Sequence, residues 1–454
     1  MRVAGAAALL GALIGHYPAE AGPHAGAGPD VRVAYLRAHA IAIRTISPAD
    51  RDFSDLEPLR QAIGSRRIVM LGEESHGDGA TFLAKSRLVE FLHERMGFNV
   101  LAFESGFYDV HYAWHDLASG GDPMEAVRSA IFGLWTNVRE TQTLWEYVAA
   151  QSKTARPLVL AGIDSQFTGS ASKRHFMDDL QAVLADLPAD SQLSAARTRV
   201  TAVLRSYFDS RGKGLEGLAA FQKRSTVAQR ALFYTAVYQL QEGLKRLTYD
   251  DQAKAAKRDY WLQLLASTST QMEFLWHQDY KHLYDAPSPT FQWAAFNLRD
   301  RQMAENLIWL AREESPNEKI IVWAATSHEM RNRRFFTNEY TGYVPMGDTI
   351  DRAMGPDVYT IGFTAYEGHA GIGEWTNIGV AAPGSIESLI HAGGPEYAVV
   401  DFRHLGPDGI WLTQTLSCRP LGYVADTTDW PATMDGLFYI REMTPSTPIP
   451  GKML

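Results

Sequence analysis

The chain has 454 residues, 46% hydrophobic and 21% charged, with a formal net charge of −9. That length holds one large core and an appended lobe. The acidic balance argues against a duplex nucleic-acid binder, which carries a basic stripe, and no run of basic residues marks a membrane anchor. One cysteine, Cys418, allows no intramolecular disulfide and no CxxC metal spacing, and the expectation for it is a buried, inert thiol.

At the start, Arg2 precedes a small apolar run, and Ala19-Glu20-Ala21 forms an A-x-A cleavage signal. Residues 1–21 therefore read as a signal peptide, with the mature protein periplasmic or secreted. The alternative is an Ala/Gly-rich extension on a cytoplasmic protein. The run is too short to span a bilayer.

Four apolar runs then end abruptly in polar residues: Ile68 to Leu71, Val100 to Phe103, Leu158 to Ala161, and Ile320 to Trp323. β-Branched runs of this length suit strands buried on both faces. Between the first two, Leu83, Leu88, Phe91 and Leu92 recur at helical spacing and Gly97 supplies a stop. That strand–helix–strand unit predicts parallel strands. Further strands are expected at Val358 to Phe363 and Tyr397 to Phe402. The fold class is α/β, with a central, largely parallel sheet flanked by helices.

Residues 171–290 are long, amphipathic and poor in strand signals, and read as a helical insertion or cap. Residues 22–170 and 291–443 form the two parts of the core, with a helix over 299–314. The Pro-rich residues 444–454 are expected to be a loose tail. The aromatics of the cap (Tyr207, Phe221, Tyr234, Tyr238, Trp261, Phe274, Trp276) fit either a helix-packing core or the wall of an apolar cleft.

In open parallel sheets, ligands sit at the carboxyl ends of the strands. Four expected strands finish on ionisable residues, Glu73, Glu104, Asp164 and His328, and the loop after the first adds His76. Carboxylates that meet imidazoles there would fix their tautomer and favour the protonated state. A general base that takes a proton from water needs that arrangement. Each residue alone reads more simply as a capping or structural group, so the inference rests on recurrence at four strand ends.

Gly72-Glu73-Glu74-Ser75-His76-Gly77 resembles the G-E-x-[ST]-H-G signature of the erythromycin esterase family. Weaker matches follow at Arg87-Leu88, Gly97-Phe98, Leu101 to Glu104, Gly162 to Gln166, Arg299-Asp300 with Met303-Ala304 and Asn306, Val322 to His328, and Asp435 to Phe438. The resemblance implies a hydrolase of esters or lactones, with a macrolide as substrate. It puts the catalytic histidine on His76, the motif glutamate on Glu73, a second acid on Glu104 and a later histidine on His328. Lys85 stands where the family often has Arg; it keeps the charge without the bidentate fork. Glu74 replaces a small residue or Pro, and Arg139 stands where an acid is expected.

The expected mechanism has His76, oriented by Glu73 and Glu104, deprotonate a water that attacks the carbonyl. Lys85, His328 and Arg299, with Asp164 nearby, are the candidates for substrate binding and for stabilising the oxyanion. The partner is a small-molecule ester, with no nucleic acid and no cofactor. Three alternatives remain: a divalent metal held by Glu73, His76, Glu104 and His328; a serine nucleophile at Ser75 or Ser105, neither of which lies in GxSxG; and a non-catalytic binding protein.

Overall fold

The computed structural model describes residues 30–278, 280, 293–333 and 342–452. The leader reading of residues 1–21 and part of the expected cap boundary lie outside them. Eleven strands are described: β1 (Ile41–Ile43), β2 (Ile68–Leu71), β3 (Phe98–Gly106), β4 (Val159–Asp164), β5 (Lys319–Trp323), β6 (Val358–Ile372), β7 (Glu374–Asn377), β8 (Tyr397–Asp401), β9 (Leu416–Leu421), β10 (Val424–Thr428) and β11 (Gly436–Met443). The main sheet runs β1-β8-β11-β6-β2-β5-β3-β4, with β7 returning along the end of β6; β9 and β10 form a separate hairpin.

From β11 to β4 every neighbouring pair is parallel, and β8 and β1 close one edge in antiparallel fashion. The central strands are buried on both faces, as continuous apolar runs require. In β5, Ile321 and Trp323 face one apolar cluster while Ile320 and Val322 face another. Each large side chain so buried contributes roughly 1.5–3 kcal/mol.

Register decides where the chemistry sits. Leu71 pairs with Trp323, Trp323 with Phe103, and Phe103 with Gly162. β2 and β5 therefore end level with each other, while β3 and β4 run on two or three residues and end paired at Gly106 and Asp164. At about 4.8 Å per strand, these four strand ends span only about 15 Å across the sheet. β5, which follows the helical region in the chain, inserts between β2 and β3.

The helix between β2 and β3 spans Gly79–Met96 and stops at Gly97, as its spacing predicts. Five helices, Ser170–Leu184, Ser191–Arg211, Gly214–Arg224, Val227–Lys245 and Gln252–His277, take up most of the described part of the stretch expected to be helical. Tyr207, Phe221, Trp261, Phe274 and Trp276 are buried in one apolar cluster, against which Tyr234 packs; Tyr238 is exposed. That cluster also takes in Phe107 and Tyr108 of the helix after β3, so these rings are packing core that docks the helices on the sheet domain. The helix expected over 299–314 starts earlier, at Ala294, and gives way at Leu310 to a wider turn.

The tail is not loose where it is described. Residues 444–449 are tied by backbone hydrogen bonds to Gly77, Gly79, Ala80, Asn137, Arg139 and Gly371. Composition suggested mobility, but a proline lacks only its own N–H, and the residues between the prolines still pair.

Candidate active site

His76 lies in the loop between β2 and the helix Gly79–Met96. Its Nδ1 is 2.7 Å from Glu73 Oε1. Both oxygens of Glu73 are held: Oε1 also accepts from the Trp135 indole at 3.0 Å, and Oε2 accepts from Lys85 Nζ at 2.9 Å and the Trp323 indole at 3.1 Å. An acceptor-only carboxylate fixes Nδ1 as the protonated nitrogen. Nε2 hydrogen-bonds no described residue, and the side chain keeps 16% of its surface open. The Trp135 ring stands edge-on to the imidazole, 5.5 Å between centroids.

Burial opposes the imidazolium of His76. The hydrogen bond and charge of Glu73, then the charge of Glu104, outweigh it and raise the pKa above its ordinary value. Burial likewise pushes the Lys85 ammonium down, against the pull of Glu73 and Glu329.

A second nest lies beside it. Glu104 Oε1 accepts from Arg299 Nη2 at 2.7 Å and lies 3.2 Å from His328 Nε2; Oε2 accepts from the Ala325 N–H at 3.0 Å. Arg299 also grips Asp164, with Nη2 2.7 Å from Oδ2. His328 Nδ1 is 2.7 Å from Asp300 Oδ1, which also accepts from Tyr343 Oη and the Met346 N–H. Burial opposes the imidazolium of His328 too, but Asp300 and Glu104 push its pKa up to about 10. Against the cost of burial, His328 and Arg299 hold the Glu104 carboxyl well below the usual range.

The protonated His328 has no lone pair left. Arg299 Nη1, 3.2 Å from His328 Nε2, therefore gains no acceptor there. Counting formal charges, the carboxylates of Glu73, Glu104, Asp164 and Asp300 face the cations Lys85, Arg299 and His328. The ensemble is one positive charge short until His76 is protonated.

The model of the erythromycin esterase family matches residues 93–446. The chain belongs to the erythromycin esterase family. A Bacillus subtilis protein named "Putative hydrolase YbfO" is 27% identical over 405 residues, 86% of this chain and 87% of its own. Erythromycin esterase type II of Escherichia coli is 23% identical over 398 residues, 79% of this chain and 86% of its own. The solved succinoglycan biosynthesis protein shares the fold at 20% identity, with a TM-score of 0.72 over 93% of this chain and 100% of its own. So does the erythromycin esterase EreC, carrying a histidine-to-asparagine substitution and in its open conformation, at 17% identity and a TM-score of 0.65 over 89% and 97%. Family and relatives make this chain a hydrolase. The family match begins after the loop that bears Glu73 and His76, so the arrangement of those two is read from geometry.

Within this family member, the structure gathers all seven candidate residues at one rim and closes two of them off in buried ion pairs. Lys85, expected at the oxyanion, is wholly buried and donates to Glu73 and to the Ala324 carbonyl. Asp164 is wholly buried as the partner of Arg299. Both support other site residues, because in a buried site an unpaired charge is costly. Ser75 donates its hydroxyl to the Asp78 carboxyl at 2.9 Å, Ser105 is fully buried and accepts from the Phe132 N–H, and neither hydroxyl hydrogen-bonds a histidine among the described residues. Among the described residues no group of three or more His, Cys, Asp or Glu side chains is disposed to hold a metal ion. The Cys418 thiol is buried, donates to Glu387 Oε1 at 2.9 Å, and is pushed well up by burial and by that carboxyl.

Sequence reasoning missed Trp135, Trp323, Asp300, Tyr343 and Glu329. Trp323 was legible as the residue level with Leu71 on the neighbouring strand. Glu329 is buried, with no hydrogen-bond partner on either oxygen among the described residues, and burial raises its pKa well above the ordinary carboxyl value. Nothing in its sequence neighbourhood marks it.

Proposed function

We propose that the protein hydrolyses a carboxylic ester or lactone with water activated by His76. One observation carries the reading: an imidazole with Nδ1 bound to a fully held carboxylate, and Nε2 free at a partly open surface. Water bound at Nε2 gives up a proton as it attacks the carbonyl. Glu73 stabilises the imidazolium through Nδ1–H. The Nη1 edge of Arg299, flanked by the protonated His328, is the donor available to the developing oxyanion. The imidazolium of His76 then returns the proton to the leaving alkoxide. No acyl-enzyme intermediate is needed.

The name of the Escherichia coli relative supports a macrolide as the substrate. Purified protein should add one water to a macrolide or a simpler lactone or ester, read by mass spectrometry with and without chelator. Inertness toward the whole panel overturns the reading; loss of turnover on chelation redirects it to a metal hydrolase. The leader reading of residues 1–21 adds that the enzyme works in the periplasm or outside the cell. Recovery of the full-length, uncleaved chain from the cytoplasm overturns that part.

A further inference from the structure

We propose that residues 444–449 position the catalytic loop, with the backbone N–H of Ser446 as the central contact. The proposal rests on His76 being the base. The Thr444 carbonyl accepts from Gly79 N at 2.8 Å and from Ala80 N at 3.3 Å, taking up two donors that the start of the helix Gly79–Met96 leaves free. Ser446 N donates to the carbonyls of Gly77, at 2.9 Å, and Gly371, at 3.0 Å. Gly371 lies in β6 where it pairs with β7, and its own N–H donates to Gly77 O at 3.2 Å. Three backbones therefore meet beside His76.

The same segment then crosses to the other side of the site. The Thr447 carbonyl accepts from Arg139 N at 2.9 Å, its N–H donates to the Glu140 carboxylate at 3.0 Å, and Ile449 N donates to Asn137 O at 2.8 Å. Residues 137–139 begin two positions after Trp135, whose indole shares Glu73 Oε1 with His76. One strap thus fixes the backbone beneath both donors to that oxygen. Two glycines make the approach possible: a Cβ at Gly77 would lie 2.5 Å from Gly371 Cα, and one at Gly79 would lie 2.7 Å from the Pro445 carbonyl. The hydroxyl of Ser446 has no partner among the described residues, so the residue acts through its N–H.

The test uses three versions of the full chain: Ser446→Pro, which removes that N–H; a chain ended after Met443; and, as control, a chain ended after Gly451. The imidazole of His76 is titrated by NMR, its signal assigned by its absence in His76→Ala. Turnover is followed on any ester the parent hydrolyses, and thermal melting reports folding. In the first two variants the His76 pKa should fall toward its ordinary value and kcat should drop tenfold or more, with KM changing less than threefold. The control should match the parent. A folded variant whose His76 titrates as in the parent overturns the proposal. So does unfolding of both variants, which would make the segment a general support. The titration needs no substrate: a shifted His76 in a protein inert toward all esters would keep the strap and sink the proposed function.

Discussion

Both oxygens of Glu73 are taken, by His76 and Trp135 on one and by Lys85 and Trp323 on the other. A base must be neutral to accept a proton, and Glu73 raises the His76 pKa above 6.5. kcat/KM should therefore climb with pH through a midpoint above 6.5. His76→Ala should lose about 10²–10⁴ in turnover while melting like the parent; full activity in a folded His76→Ala protein removes the base from the scheme. In Glu73→Gln, burial acts on His76 with only the charge of Glu104 left to oppose it, so the midpoint should move to lower pH. The same change strips Lys85 of its anion, and an abandoned buried charge costs about 3–5 kcal/mol, so the melting temperature should fall as well. An unmoved pH profile in that variant would show that Glu73 does not tune His76. Ser75→Ala, by contrast, loses a hydrogen bond to Asp78 and one from the Gly77 N–H, each worth about 1 kcal/mol, and should keep its turnover; inactivity in the folded variant would revive a serine nucleophile.

Among the elements, β6 runs on past the end of β2, turns back as β7, and leans on the His76 loop through Gly371. Gly77→Ala puts a methyl group against Gly371 backbone, not against a movable side chain. Overpacking of this kind costs about 1–3 kcal/mol. Stability and kcat should fall together, and an unchanged kcat in the folded variant would uncouple the hairpin from the loop. The sequence announced β2, β3, β4 and β5 because strands buried on both faces must be apolar throughout. It announced Glu73, Glu104, Asp164 and His328 because those runs stop at charged residues. β7 carries no such mark: its four residues are exposed, and it exists only because β6 continues past the sheet. β11 was visible only as a short family match, since its strand begins beside the buried Asp435 and carries the charged Arg441-Glu442 just before its end at Met443. The roles of Lys85 and Asp164 depend on which partner each meets across the fold, and spacing along the chain holds no trace of that.

For the whole molecule, the buried charge network sets the response to alkali. His328 titrates near 6.5 when unfolded and at about 10 when folded. Its contribution is full below pH 6.5 and is lost as pH rises toward 10. Between those values the folded protein binds more protons than the unfolded chain, so stability falls with pH. His76, raised above 6.5, and the buried acids Glu74 and Glu329, raised well above 4.5, act in the same sense. Lys85, lowered from 10.5, acts in the opposite sense near the top of the window. One group titrating fully is worth about 1.4 kcal/mol per pH unit. From pH 7 to 9, His328 alone should therefore remove on the order of 2 kcal/mol, read as a falling urea midpoint at constant slope. His328→Gln should start less stable, because Glu104 and Asp300 lose their shared cation, yet respond less steeply to pH over the same range. A parent protein whose urea midpoint holds level or rises from pH 7 to 9 would mean that His328 is neutral in the fold. Arg299 Nη1 would then have an acceptor after all, and the oxyanion would need another donor.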